Sequence, residues 1–398
     1  MNTVKRVFIT APLMPEFDRE GGSQRVFDLI MLFRRANWAV TFLAENSLPE
    51  TKRYAHILQQ MGVTVYAGVH SKWAGDDYIF DISSLVAYGK FDLAIFVFWY
   101  TAETYLPIFR SLSPNTRLVI DSIDLHFLRA ARAKFSDASD PTGLGENKLD
   151  AVYADEMHRE LNIYAEADGV LAVSHKEADI INNFLARPDH SFTVPLMEKI
   201  PPSTIDFEDR KGILFIANIR HSPNREALDF LCEKIMPLIS AATQQEHPLY
   251  LVGNGLNQDV VEHRKELVNV RIVGWVPTLL PYLHKARITV VPLLNGAGTK
   301  TKLIQALTVG TPSVTTDIGA EGLNLTDHQE VLISNKPEDF ARSMETLLAD
   351  KELWHKLSKQ GREHIAVTHS LEAVANYLWT AVNTVLAKPD RKMTKLAG

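Results

Sequence analysis

Gly296-Ala-Gly-Thr-Lys-Thr-Lys302 places two glycines, two hydroxyls and two ammonium groups between an apolar run and a helical pattern. A helix starting here leaves the amides of its first turn unpaired, and Thr299 is the expected N-cap. Those amides and the helix dipole favour an anion, and Gly296 and Gly298 allow its close approach. Lys300 or Lys302 supplies the positive charge that a diphosphate requires. Gln305 lies three residues beyond Lys302, on nearly the same helix face, so one ligand can touch both. The bland alternative is a glycine turn with two solvated lysines.

A second glycine pair, Gly21-Gly22-Ser-Gln-Arg25, also joins a strand-like run to a helical pattern. Arg25 there offers a bidentate fork to a phosphate, unless the segment is only a loop with Ser23 as N-cap. Asp121-Ser-Ile-Asp124-Leu-His126-Phe-Leu-Arg129 packs four ionisable groups behind another apolar run. A carboxylate beside a histidine serves as general base or holds an acceptor hydroxyl, and helix capping is the structural alternative. Gly253-Asn-Gly255 is a weak signal that a turn explains. Trp99 and Trp275 end strand-like runs, where they would stack on a base or sugar or join the core. Asp76-Asp77, and Asp137 with Asp140, have no supporting histidine and read as solvated turns rather than metal ligands. A Gly-x-Ser-x-Gly elbow and a complete phosphate-loop motif are both missing.

The elements that must position these groups follow from the apolar periodicity. Short runs at 6–10, 39–43, 63–66, 93–98, 117–120 and 169–173 are apolar on both alternations, which suits strands buried on both faces. Between them lie helical patterns such as Val26, Leu29, Ile30 and Phe33. The stretch from Pro195 to Gly212, with Pro201-Pro-Ser and the charged run 206–211, breaks the rhythm as an interdomain linker would. The alternation resumes at 213–216, 249–252, 270–273, 288–291, 313–315 and 331–333, and only helical patterns follow Lys336. The expected fold is α/β: two Rossmann-like domains in tandem with a cleft between them. The expected boundaries are 1–200, 201–370, and a C-terminal helix with basic tail at 371–398, packing back on the first domain. Ligands of such sheets bind beyond the carboxyl ends of the strands, which is where every constellation above falls.

Composition narrows the partners. The 398 residues exceed what one core usually serves. A net charge of −6 argues against a nucleic-acid binder. A single cysteine, Cys232, can form neither an internal disulfide nor a cysteine zinc site, so a reducing compartment is expected. Val7-Phe-Ile9 is too short for a signal-peptide core, and no run approaches the ~20 apolar residues of a membrane span. A cytoplasmic protein is expected. The Arg34-Arg35 pair and the tail residues Lys388, Arg391, Lys392 and Lys395 leave room for peripheral contact with an anionic membrane.

The blocks 215–224, Gly274-Trp-Val276, 291–306 and Ile318-Gly-Ala-Glu-Gly322 resemble, in order and spacing, the family-4 (group 1) glycosyltransferases. Gly21 to Arg25, Asp121 to His126 and Ala167 to Ser174 resemble the same group, so the likeness reaches about residue 365. It implies a GT-B fold and metal-independent, retaining transfer from a nucleotide-diphosphate sugar, UDP- or GDP-linked, to a carbohydrate-bearing acceptor, with no other cofactor. It places catalytic residues on Arg220 and Lys302, with His126 as the nearest match to the family's histidine; Asp124 beside it, read from the residues above, completes the expected catalytic set. Donor binding falls on Gly21, Gly22, Arg25, Asn218, Gly253, Trp275, Val276, Gly296, Gly298, Thr299, Lys300, Gln305 and Glu321. The chain departs from the family where two glutamates usually stand, at Ala297 and Gln305, and where a glycine usually stands, at Ala217. A glutamine accepts on one oxygen only, and replacing a charged hydrogen bond at the ribose costs on the order of 1 kcal/mol. The replacements keep other readings open: a sugar-nucleotide epimerase, a phosphorylase, or a catalytically weak partner subunit of the same fold.

Overall fold

A computed structural model describes residues 4–19, 21–46, 51–68, 81–135, 151–257 and 267–389. Asp76, Asp77, Asp137, Asp140 and the tail residues Arg391, Lys392 and Lys395 lie outside the described residues. Two compact units emerge, one of 1–128, 144–195 and 374–398, the other of 129–143 and 196–373.

The first unit contains β1 (Arg6–Leu13), α1 (Gly21–Arg35), β2 (Ala39–Asn46), α2 (Lys52–Gln60), β3 (Thr64–Ala67), α3 (Ile82–Gly89), β4 (Leu93–Val97), α4 (Trp99–Leu112), β5 (Arg117–Asp121), the start of α5 (His126–Phe135), α6 (Ala151–Glu166), β6 (Gly169–Ala172), α7 (His175–Leu185) and β7 (Ser191–Thr193). Its seven-stranded sheet runs β3-β2-β1-β4-β5-β6-β7, all parallel. Every residue of β4 and β5 is buried, the two-sided burial that their unbroken apolar runs demand. Strand β7, three residues at the edge of the sheet, is too short to show a period in the sequence.

The second unit contains β8 (Ile213–Ile216), α8 (Ser222–Phe230), α9 (Ala241–Glu246), β9 (Leu249–Val252), β10 (Val270–Gly274), α10 (Leu280–Lys285), β11 (Ile288–Val291), α11 (Thr301–Val309), β12 (Ser313–Thr315), α12 (Asp317–Ala320), β13 (Leu332–Ile333), α13 (Pro337–Ala349) and α14 (Lys351–Thr368). Its six strands run β10-β9-β8-β11-β12-β13. The two layers over this sheet are visible residue by residue. Ile213, Phe215, Leu249 and Leu251 enter one apolar cluster, whereas Leu214, Ile216 and Val252 enter another on the opposite face. Helix α15 (Leu371–Ala387) straddles the boundary at Val374 and continues into the first unit, where Trp379 meets Phe33 and Trp38 at ring distances of 5.2 and 6.2 Å.

The segment read as a linker differs from expectation. The unit boundary falls at Pro195, and the run 206–211 is built into the second unit. Arg210 is 1% exposed, bonds Thr311 and the Ile205 carbonyl, and lies 5.1 Å from the Trp354 ring. Burial pushes its guanidinium down to about 10. Local pattern reads this charged run as a linker because two of the carbonyls that satisfy Arg210, those of residues 283 and 286, lie far along the chain. No helix among the described residues is long and apolar enough to cross a membrane. Arg34 is engaged within its unit, donating to the Met61 and Trp38 carbonyls at 2.9 and 2.6 Å.

Candidate functional site

In each sheet the strand order reverses once, between β1 and β4 and between β8 and β11. Loops leaving the strands beside such a reversal splay apart and open a crevice at their carboxyl ends. In the second unit those loops are 217–221 and 292–300, the two segments whose sequence carries glycines, amides and lysines.

The loops meet through side chains. Lys302 Nζ donates to Asn224 Oδ1 at 2.7 Å, and Asn224 Nδ2 donates to the Asn218 carbonyl at 2.9 Å. Asn218 Oδ1 in turn accepts from the Arg220 amide at 3.2 Å. A Cβ on Gly296 would lie 3.9 Å from Pro223. Asn218, Arg220, Asn224 and Lys302, up to 84 positions apart in the chain (302 minus 218), therefore form one cluster. Arg220 is exposed, with no ion-pair partner among the described residues.

Lys302 is the electrostatic centre of this cluster. Its only polar partner among the described residues is the neutral Asn224 oxygen, and the Phe215 ring lies 5.8 Å away. Enclosure by protein atoms, with the Lys300 charge second, pushes its ammonium from 10.5 down to about 7. Lys300 behaves differently from expectation. It is 8% exposed and its ammonium turns back onto the Ala297 and Gly298 carbonyls, so it closes the loop on itself. Lys300, not Thr299, also occupies the N-cap position of α11, with extended φ −94° and ψ 94° and no side-chain cap. The first-turn amides thus have no side-chain acceptor, and Thr299 Oγ1 is buried without a hydrogen-bond partner among the described residues.

The glycines have separate reasons. Gly296 and Gly298 hold φ of 123° and 69°, which lets the loop turn back over α11. At Gly253, φ is 138° and a Cβ would sit 1.9 Å from the Ala217 carbonyl oxygen, so the loops after β8 and β9 touch backbone to backbone. Trp275, after β10, is 64% exposed, while Val276 packs on the small apolar cluster beneath it. Gln305 is half-buried on α11.

Glu321 follows α12 and is engaged by a residue the sequence did not single out. Arg132, which groups with the second unit, donates to Glu321 Oε1 at 2.7 Å and also to Glu321 Oε2 and the Gly296 carbonyl. It joins the glycine loop to α12 from 164 residues away, and nothing in local spacing set it apart from Arg129.

In the first unit the expected phosphate fork at Arg25 is corrected. Arg25 is 4% exposed; its Nε and Nη2 bond Asp121 at 2.8–2.9 Å and its Nη1 donates to the Val194 and Pro195 carbonyls. Asp121 is fully buried, so the pair ties α1 to β5 and to the chain leaving β7. Gly21 and Gly22 lie in the first turn of α1, and a Cβ on Gly22 would meet only ordinary contact with Ile123 at 3.8 Å. Trp99 is a core residue, 7% exposed, whose Nε1 donates to His126 Nδ1 at 3.3 Å. His126 Nε2 lies 3.3 Å from Asp124 Oδ1. Below them the buried Glu160 accepts from the His126 and Phe127 amides at 3.0 and 2.9 Å and caps α5; burial raises its carboxyl.

Residues 210–350 match the family described as Glycosyl transferases group 1. A Klebsiella pneumoniae protein, "Uncharacterized 44.6 kDa protein in cps region", is 24% identical over 192 residues, 46% of this chain and 47% of that protein. The "Putative glycosyltransferase YtcC" of Bacillus subtilis is 29% identical over 91 residues, 22% of each chain. The chain thus spans about half or less of the curated relatives it matches. Among solved structures, sucrose-phosphate synthase of Thermosynechococcus elongatus superposes with a TM-score of 0.68 at 16% identity, over 96% of this chain and 99% of the other. HepE of Anabaena, solved with UDP-glucose, gives 0.66 at 10% identity, over 95% and 99%. At these identities the likeness is one of fold, and the two parallel sheets with flanking helices are the GT-B arrangement. Residues 210–350 are accordingly similar to a group 1 glycosyltransferase domain, and the chain has the GT-B fold.

Proposed function

We propose that this chain transfers a glycosyl group from a nucleotide-diphosphate sugar to a carbohydrate-bearing acceptor, with the diphosphate held by the second unit. The observation that carries the reading is the enclosed Lys302 ammonium, whose partner is a neutral oxygen. A half-buried cation without a counter-charge carries part of the cost of desolvation, and an incoming anion relieves it. The uncapped start of α11, the unpartnered Thr299 hydroxyl and the exposed Arg220 add donors around the same place.

Chemistry at such a site is electrostatic. The bond from the anomeric carbon to the diphosphate oxygen breaks, its electron pair leaves with the diphosphate, and Lys302, Arg220 and the first-turn amides of α11 take up that charge. Gln305 faces the ribose diol, Trp275 and Val276 meet the base, and Asn218, Gly253, Gly296 and Gly298 keep the loops close to the phosphates. Arg132 holds Glu321 and the glycine loop in register. Attack on the same face as the leaving diphosphate gives retention without a protein nucleophile and without a metal. The family resemblance supports these assignments, and HepE's UDP-glucose complex makes a uridine donor the first to test.

Thermal-shift titration with UDP-, GDP-, ADP- and dTDP-sugars, followed by nucleotide-release assays with sugar acceptors, tests the reading. A nucleotide shift and acceptor-dependent release are expected. No shift from any nucleotide refutes it, and conversion of donor alone into an isomer assigns an epimerase instead.

A further inference from the structure

The geometry points to a carbohydrate-binding ledge on the first unit, where Phe98 and Tyr100 take the apolar face of a pyranose ring beside the Asp124–His126 pair. The ledge stands at the strand-order reversal between β1 and β4, where β4 ends at Val97. Phe98 adopts φ 72° and ψ 150°, a region that only glycine enters readily. The backbone is held there by the Phe98 amide, which donates to the Asp121 carbonyl at 2.8 Å, and by the Phe98 carbonyl, which accepts from Ala102 at 3.3 Å. On the neighbouring loop Ile123 is also left-handed, at φ 59°. Between the two aromatics Trp99 enters the core, whereas Phe98 is only half-buried and Tyr100 is 36% exposed, so both flanking rings stay within reach of a ligand.

The strain stacks two aromatic rings on each other. Phe98 and Tyr100 have centroids 5.3 Å apart and planes within 10°, and the His126 ring leans on them at 5.5 and 5.9 Å. The polar edge is fixed as well. Indole nitrogen only donates, so the Trp99 bond to His126 Nδ1 leaves the ring proton on Nε2, 3.3 Å from Asp124 Oδ1. The outer, exposed face of this stack at Tyr100, bordered by the Asp124 carboxylate, matches a pyranose, which has a C–H face and a rim of hydroxyls. On the transfer reading proposed above, on which this role rests, the bound ring is the acceptor and Asp124 receives its hydroxyl.

Saturation-transfer NMR on the full chain with the methyl glycosides of glucose, galactose, mannose and N-acetylglucosamine tests the ledge. At least one should show saturation concentrated on ring C–H protons. Tyr100→Ala and Phe98→Gly should each weaken its binding about tenfold, the effect of losing one stacking ring. Phe98→Gly should also fold with unchanged or higher melting temperature, since glycine tolerates that backbone. No saturation from any of the four sugars, or wild-type binding by both variants, overturns the ledge. A nucleotide-diphosphate thermal shift on the same samples keeps the two readings apart. Sugar binding without a nucleotide shift leaves the ledge and sinks transfer; a nucleotide shift without sugar binding does the reverse.

Discussion

Replacing Lys302 by methionine should make the unliganded protein more stable while removing nucleotide binding. In the folded chain the ammonium is pushed down to about 7, whereas the unfolded lysine titrates at about 10.4. Between those values the unfolded state binds more protons, so stability rises with pH across that window. The penalty is full below pH 7 and fades towards pH 10.4; at pH 7 it is about 4 kcal/mol. Residual solvent around the half-buried side chain, and loss of the 2.7 Å bond to Asn224, reduce the net gain from Lys302→Met to about 2 kcal/mol. That corresponds to roughly 5 °C in the melting of a unit of this size. A bound diphosphate reverses the balance by restoring the charged form. At pH 8 the free lysine carries about 0.1 proton, so binding should take up about 0.9 proton, and affinity should fall towards tenfold per pH unit above about 7. Calorimetric titration with uridine diphosphate at pH 8, in two buffers of different ionisation enthalpy, measures that uptake; the terminal phosphate is already ionised there, its pKa being about 6. The methionine variant should show neither uptake nor binding. Tight binding by wild type without proton uptake, wild-type affinity in the variant, or a lower melting temperature in the variant would each refute the reasoning.

Other perturbations separate structural from ligand roles. Arg25→Ala leaves the buried Asp121 unpaired and should destabilise by about 3–5 kcal/mol in urea melts. The paired change Arg25→Met with Asp121→Leu should recover much of that loss. Arg132→Ala should weaken nucleotide-sugar binding about tenfold by calorimetry through loss of the tie between Gly296 and Glu321, with Arg132→Lys intermediate. Gln305→Glu should tighten a ribose-bearing nucleotide by on the order of 1 kcal/mol, and a deoxynucleotide by less. Gly253→Ala drives a Cβ into the Ala217 carbonyl and should lower stability by at least about 2 kcal/mol in thermal melts.

What the sequence determined by itself is whatever depends on local pattern. Short apolar runs placed twelve of the thirteen strands among the described residues, and a strand such as β4, buried along its whole length, leaves no polar residue to interrupt it. Gly296 to Lys302 stood out for the same reason, since glycines, hydroxyls and lysines between a strand and a helix describe an anion loop at short range. Tertiary structure decided which of those charges are available. Arg25 and Lys300 look as suitable as Lys302 in sequence, yet one is closed by Asp121 and the other by its own loop carbonyls. Arg132 had no local mark and acquired its position from Gly296 and Glu321, far along the chain. Burial, counter-charge and backbone strain such as that at Phe98 are set by neighbours distant in sequence, and those quantities separate a solvated side chain from one that can act on a ligand.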